Sequence, residues 1–214
     1  MAQNKVTRAY NFEIRAENND TNGDYITGRP IVYNSKTDMG YFDEIIDSGA
    51  LDECNLKDVR FLVNHNIDMI PLARSRNNNK NSTMQLSPDK KGMEIRVNLD
   101  TENNTDSKNL YSAIKRGDIT GMSFMFTIDD EEWRDLESEH PTRIIRKIGQ
   151  VFEVSAVTFP AYESTEISAR NKEALESAKA TLESVKLLDS NKRALELEKA
   201  KIRNKFFRLK IMKS

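Results

Sequence analysis

Residues 144–159 read Ile-Ile-Arg-Lys-Ile-Gly-Gln-Val-Phe-Glu-Val-Ser-Ala-Val-Thr-Phe, a run whose β-branched and aromatic residues predict the longest strand of the chain. Residues 121–128 predict a second strand, and the acidic stretch 129–141 predicts a charged excursion between the two. Several short strands with turn signals and one convincing helix surround this pair. We therefore expect a mainly β fold with a few helices, arranged as a closed or nearly closed antiparallel barrel.

Further strands are predicted from alternating or apolar runs. They are residues 8–16, 30–33, 59–65, 83–86 and 93–99. In the third of these strands, the period of two is expected to place Val59, Phe61, Val63 and His65 on one face of the sheet.

Turns and helices are predicted between these strands. Residues 18–28 are rich in Asn, Asp and Gly, which predicts a loop, and residues 45–51 predict one or two helical turns. Residues 105–116 predict a full helix, with Thr105 as its cap and Gly117 at its end.

The composition excludes several classes of protein. A chain of 214 residues corresponds to one domain, or to one domain with a tail. Its single cysteine cannot form an internal disulfide, and one cysteine with two histidines is too few for a structural zinc site. No apolar run reaches the roughly 18 residues that span a bilayer, and we expect no signal peptide after Met1.

The net charge of −1 is the sum of two unlike parts. Residues 1–170 hold 21 Lys and Arg against 28 Asp and Glu, a net charge of −7, and predict a globular domain. Residues 171–214 hold 12 against 6, a net charge of +6, and contain neither Pro nor Gly. Apolar residues recur there at steps of three and four, which predicts a basic helical tail whose apolar stripe needs a partner.

Two histidines are the candidates for proton transfer near neutral pH. His140 lies in Ser-Glu-His-Pro within the charged excursion, which is typical of a solvated loop position. His65 instead ends an apolar strand, where a side chain can be held rigidly and still reach solvent. A structural histidine remains the alternative interpretation of His65.

Two residues are candidate nucleophiles. Ser123 follows Gly121 in a strand, and glycine permits a tight backbone whose amides could face an oxyanion. The segment is not a Gly-x-Ser-x-Gly elbow, because position 125 is methionine. Cys54 is the second candidate, but Asp52 and Glu53 beside it disfavour a thiolate, so we expect a surface or half-buried free thiol.

Glu153 is the one charge in the apolar run 151–157. Such a charge must be paired, protonated or at a rim. One partner would be the Nδ1–H of a histidine, which would fix the tautomer that lets Nε2 deprotonate a serine. The alternative partner is an arginine, such as Arg60, Arg143 or Arg146.

Together these segments resemble the tailed-phage prohead maturation proteases, a serine-peptidase family distantly related to the herpesvirus assemblins. The matching segments follow the family's order and cover about residues 10–170. They are residues 28–35, 48–50, 59–66, 71–74, 119–124 and 153–162.

The resemblance implies a fold and a set of catalytic residues. The fold would be an assemblin-like antiparallel β-barrel over residues 1–170. Ser123 would be the nucleophile, His65 the general base and Glu153 the third member of a Ser-His-Glu triad, with no metal and no cofactor. Assemblins carry a histidine in the third position, followed by arginines that support the oxyanion. Here Phe-Pro-Ala-Tyr follows instead, so the oxyanion donors stay open between backbone amides near Ser123 and the side chain of Arg74.

The resemblance also implies a substrate, a location and partners. The enzyme would cleave scaffold protein or a scaffold-like extension of the major capsid protein, and also itself, inside the immature phage head in the host cytoplasm. Residues 171–214 would be a coiled-coil or targeting segment that is removed on activation. We rank specific nucleic acid and membrane below a protein partner for this tail. A homodimer or an assembly-dependent oligomer stays open, and a non-enzymatic capsid-assembly or scaffolding protein is the alternative function.

Overall fold

The computed structural model describes residues 5–10, 14–19, 23–159 and 165–211, and the chain divides into two units, Met1–Ala169 and Arg170–Ser214. Its strands are β1 (Lys5–Tyr10), β2 (Ile14–Asn19), β3 (Gly23–Val32), β4 (Lys36–Asp38), β5 (Asp43–Ile46), β6 (Asp58–Val63), β7 (Ala73–Arg76), β8 (Met84–Asp89), β9 (Gly92–Asn98), β10 (Gly121–Arg134) and β11 (Thr142–Val157). Its helices are α1 (Thr105–Arg116) and α2 (Thr165–Ile211). The predicted mainly β class with helices is confirmed.

β11 organises the larger, seven-stranded sheet. One of its edges pairs antiparallel with β10, which pairs in turn with β1. Its other edge runs parallel to β5 along its first residues and parallel to β6 along its last. β4 and β7 extend the sheet beyond β5 and β6. A 16-residue strand is long enough to pair with both of these short strands on the same edge.

The expectation of a closed antiparallel barrel is wrong, because the sheets of the described residues are not closed. A barrel requires its first and last strands to pair with each other. Here a separate four-stranded sheet forms in the order β2-β3-β9-β8. β11 also takes parallel neighbours, so the larger sheet is mixed rather than antiparallel.

One hydrophobic cluster joins both sheets and α1. Phe61, Phe124 and Val154 lie in register across β6, β10 and β11, and all three are fully buried. Ile95 contributes from the smaller sheet and Leu110 from α1. Because side chains alternate along a strand, the residues on either side of these three positions project to the opposite face of the larger sheet.

Three local predictions are corrected by the structure. The helix predicted at 45–51 is wrong, because β5 ends there and hydrogen-bonded turns follow. The loop predicted at 18–28 is wrong, because β2 and β3 pair from Ile14–Gly28 to Asn19–Gly23. α1 is confirmed, but Asn104 rather than Thr105 caps it, accepting from the amides of Asp106 and Ser107.

The charged excursion predicted at 129–141 is shorter than expected, because β10 continues to Arg134. Cross-strand ion pairs explain the continuation. Glu131 pairs with Arg143, and Glu132 pairs with Arg146. Opposite charges on paired strands stabilise a hairpin that their polarity alone would not predict.

α2 carries the predicted helical tail, although it begins at Thr165 rather than at residue 171. Its exposed large apolar side chains are Val185, Leu187, Leu188, Leu195 and Leu197. Neither helix of the described residues is both long enough and apolar enough to cross a bilayer.

A buried ion pair connects β1 to β5. Both Arg8 and Glu44 are nearly inaccessible, and Arg8 Nη2 donates to Glu44 Oε2 at 2.7 Å. Arg143 of β11 lies 3.5 Å from the same carboxylate oxygen. Removing one partner of such a group leaves an uncompensated buried charge, which is more costly than losing an exposed pair.

We expect Glu44→Ala to lower the free energy of unfolding by about 3–5 kcal/mol, because the guanidinium of Arg8 would stay buried without its carboxylate. Urea unfolding followed by tryptophan fluorescence measures this. Glu94→Ala is the matched control, since the Glu94 carboxylate is half exposed and its pair with Arg29 should contribute less than about 1 kcal/mol. Equal losses in the two variants would contradict the role of the buried pair.

Candidate active site

His65 lies in a turn directly after β6, not in the strand. Asn64 and His65 have φ angles of 50° and 57°, in the left-handed region that few non-glycine residues adopt. The Asn64 amide donates to the Ala156 carbonyl at 3.0 Å, and its side chain exchanges two hydrogen bonds with Thr158. The end of β11 therefore holds this turn in place.

The left-handed turn changes the side of the sheet that His65 reaches. The prediction that it shares a face with Val59, Phe61 and Val63 is wrong, because the strand ends at Val63. The imidazole instead contacts Glu153, which lies in register with Arg60 on the opposite face of β6.

Glu153 supports the imidazole from β11. Its Oε1 lies 2.7 Å from His65 Nδ1, and its side chain is 3% exposed while that of His65 is 23% exposed. A carboxylate in this position accepts the Nδ1–H and leaves Nε2 unprotonated in the neutral ring. Among the described residues, Nε2 has no hydrogen-bond partner, so it is available as a base.

None of the three arginines considered for Glu153 pairs with it in the described part of the chain. Arg60 bonds to Asp58, while Arg143 and Arg146 pair with acidic residues of the β10 hairpin and of the 43–47 segment. The other oxygen of Glu153 accepts from a serine hydroxyl instead: Ser155 Oγ donates to Oε2 at 2.5 Å.

Ser123 lies on β10, the strand next to β11, and on the same face of the sheet as Glu153. It is the register partner of Ser155 between β10 and β11, and directly opposed residues project to the same side of a sheet. Ser155 and Glu153 are two residues apart, so they share that side as well. The sheet thus places Ser123 on the same face as Glu153, directly opposite Ser155.

The Ser123 hydroxyl does not face the imidazole in this structure. It is fully buried and donates to the main-chain carbonyl of Arg8 on β1 at 2.7 Å. No hydrogen bond joins the described side chains of Ser123 and His65.

Arg74 is one of the two predicted sources of oxyanion support. Its guanidinium is held by Asp58, with Nε and Nη2 donating at 2.6 and 2.7 Å. The carboxylate of Asp58 therefore already neutralises it, and the same contact lowers the pKa of Asp58 below its ordinary value. Backbone amides near Ser123 remain the other source.

Burial makes Cys54 a poor nucleophile. The side chain is half-buried and free, and loss of hydration raises the pKa of its thiol to about 12. The thiolate is the reactive form, and it is scarce at neutral pH when the pKa is this high. This argues against Cys54 as the alternative to Ser123.

His140 is half exposed and lies beside Asp38 and Asp43, with 3.2 Å between its Nε2 and Asp43 Oδ1. These three side chains form the one cluster of metal-ligating groups found among the described residues. Lys36 forms an ion pair with Asp43, so a cation of the protein's own already neutralises that carboxylate.

Ser155 is the part of this arrangement that sequence reasoning missed. The signal was present, because a residue two positions after Glu153 in a strand must share its face. The contact of Ser123 with the Arg8 carbonyl had no comparable signal, since it depends on how β1 pairs with β10.

The chain matches the family model of the caudovirus prohead serine proteases over residues 10–180. It belongs to this family of phage serine peptidases, which are hydrolases of prohead maturation. No significant match was found to a curated protein or to a solved structure.

We expect the Cys54 thiol of the native protein to react with an alkylating reagent at pH 8 at least about 10³-fold more slowly than in urea, where its pKa returns to about 8.5. The native rate should rise about tenfold per pH unit, since the thiolate fraction grows until the pKa is reached. Loss of free thiol by mass spectrometry measures both rates. Rapid native labelling at pH 8 would contradict the assignment of a half-buried, protonated thiol.

Proposed function

We propose that this chain is a prohead endopeptidase in which Ser123 attacks, His65 is the general base and Glu153 supports the imidazole. The observation that carries the proposal is the 2.7 Å contact between His65 Nδ1 and Glu153 Oε1, with Ser123 on the adjacent strand and the same face of the sheet. Membership of a serine-peptidase family supports the reaction class.

The reaction is acyl transfer. His65 Nε2 takes the proton of Ser123 Oγ as the hydroxyl attacks a peptide carbonyl, and the resulting imidazolium then protonates the leaving amine. Water, deprotonated by the same nitrogen, releases the acyl group from Ser123. The buried carboxylate of Glu153 stabilises the imidazolium in each half-reaction.

Before attack, the Ser123 hydroxyl must turn from the Arg8 carbonyl towards His65 Nε2. A hydrogen bond of this kind contributes about 1 kcal/mol net, which corresponds to a rate factor of about five. The resting contact is therefore a small barrier compared with the contribution of the triad. Burial of Ser123 is the larger obstacle, so the substrate must reach it through a local opening of the fold.

The substrate we propose is the scaffold protein, or a scaffold-like extension of the major capsid protein, and in addition the chain itself. Family membership supports an action on head proteins. The site of action would then be the interior of the prohead in the host cell. The cuts within the chain would fall in or before the basic tail of residues 171–214.

We expect Ser123→Ala to abolish cleavage of co-expressed capsid and scaffold proteins, with a loss of at least about 10⁴-fold in kcat/KM. Intact-mass spectra recorded over time measure both this and self-cleavage. Ser87→Ala is the matched control, because Ser87 is an exposed serine on β8 of the other sheet. Cleavage that persists in Ser123→Ala would overturn the assignment of the nucleophile.

We expect Glu153→Gln to lower kcat by about 10²–10⁴-fold, less than the loss of Ser123. The hydroxyl of Ser155 would retain the amide oxygen, so the amide NH₂ would face His65 Nδ1 and place the ring proton on Nε2. That tautomer cannot accept the serine proton. Activity equal to that of the unmodified enzyme would remove Glu153 from the triad.

The tail is proposed to bind an acidic protein surface of the immature head. After Glu198 the sequence contains seven basic residues and no acidic residue. Mutual attraction of opposite charges would hold this end against scaffold or shell at low salt and weaken as salt is added.

We expect replacement of these seven Lys and Arg by Gln to abolish co-sedimentation of the Ser123→Ala protein with proheads at physiological salt. The control replaces the six basic residues of the preceding part of α2, Arg170, Lys172, Lys179, Lys186, Lys192 and Arg193, which are interspersed with acidic residues. Thermal unfolding should be the same in both variants. Undiminished co-sedimentation of the first variant would refute an electrostatic role for the tail.

A further inference from the structure

Ser155 joins two parts of the site that no covalent link connects. Its hydroxyl donates to Glu153 Oε2 at 2.5 Å, and the hydroxyl oxygen, Ser155 Oγ, accepts from the main-chain N–H of His65 at 3.2 Å. The residue is fully buried in β11, and it faces Ser123 across the β10–β11 pairing. One hydroxyl therefore contacts the backbone of the proposed base and the carboxylate that supports the base.

We infer that Ser155 is a positioning residue, which holds the Glu153 carboxylate and the His65 backbone in the one arrangement that keeps the ring proton on Nδ1. This inference rests on the proposed function of the site. Ser155 does not touch the substrate in this account. Its effect is transmitted through Glu153 and His65.

The Glu153 carboxylate can adopt more than one orientation, which explains why a positioning residue is needed. A glutamate has one more rotatable bond than an aspartate, so an unrestrained carboxylate can turn either oxygen, or neither, towards the imidazole. Donation from Ser155 occupies Oε2 and leaves Oε1 for His65 Nδ1. Without it, the carboxylate would sample orientations that do not fix the tautomer.

The backbone of His65 needs a similar restraint. A non-glycine residue in the left-handed region carries a conformational cost, which the surroundings must offset. The contact of the His65 N–H with Ser155 Oγ is one of the bonds that do so, next to those of Asn64. Loss of the hydroxyl would relax the turn and move the imidazole relative to β11.

Ser155 is not a second nucleophile in this geometry. Its proton is donated to the Glu153 carboxylate rather than to His65 Nε2, and one of its oxygen lone pairs accepts from a main-chain amide. A serine attacks only when its proton can pass to a base of suitable pKa. The same bonds that make Ser155 useful for positioning prevent it from attacking.

The first test is nuclear magnetic resonance of ¹⁵N-histidine-labelled full-length protein in the Ser123→Ala background, which prevents self-cleavage. The chain has two histidines, so a His140→Asn substitution assigns the remaining ring to His65. We expect a single Nδ1–H tautomer and a proton that exchanges slowly with water. Adding Ser155→Ala should give a mixture of tautomers and fast exchange of that proton.

The second test is steady-state cleavage by the otherwise unmodified enzyme. We expect Ser155→Ala to lower kcat by about 10–100-fold and to leave KM within about twofold, because a group that orients a catalytic ligand acts on the reaction step. Ser75→Ala is the matched control, since Ser75 is a fully buried strand serine whose hydroxyl has no hydrogen-bond partner among the described residues. If Ser155→Ala fails to fold, Ser155→Cys keeps the volume with a weaker donor and should show the same loss of kcat.

The two readouts separate the inference from the proposed function. An unchanged tautomer together with a kcat equal to that of Ser75→Ala would overturn the role of Ser155, even in an active protease. If the unmodified protein cleaves nothing, the proposed function fails, and the ring tautomer in Ser155→Ala still decides whether Ser155 positions the pair. A changed tautomer supports the inference in either case.

Discussion

The site depends on one buried interaction, the contact of the Glu153 carboxylate with the imidazole of His65. A carboxylate that is almost completely removed from water is strongly destabilised unless hydrogen-bond donors replace its hydration. Here the two donors are His65 Nδ1 and the Ser155 hydroxyl, one for each oxygen. The buried charge is therefore stable only when the turn after β6 and the last residues of β11 lie in contact.

The sheet topology meets this requirement. Parallel pairing of β6 with the last residues of β11 brings the end of β6 to the Glu153–Ser155 segment, and antiparallel pairing of β10 brings Ser123 to the other side of that segment. The β10–β11 hairpin and the turn after the distant strand β6 therefore bring the three proposed catalytic residues together around one face of the sheet. The opposite face carries the hydrophobic core, so the strands that hold the site are packed against that core.

Local sequence patterns predicted the class of fold, α1, the tail helix and the need of Glu153 for a partner. They did not predict which face His65 occupies, because the left-handed turn depends on the contact of Asn64 with Thr158, 94 residues away. They also failed at residues 45–51 and 129–134, where pairing with β11 or with arginines across the hairpin outweighs local propensity. The closed barrel was wrong for a related reason, since strand order is a property of long-range pairing.

In the proposed mechanism, this carboxylate and imidazole activate Ser123 as the nucleophile. The most direct measurement is labelling with a fluorophosphonate, which reacts with the activated serine of a serine hydrolase, in a preparation that is cleaving scaffold protein, followed by peptide mapping. We expect a single modified residue, Ser123, and loss of the label in His65→Ala. A label on another serine, or full cleavage activity with Ser123 unmodified at saturating reagent, would contradict it.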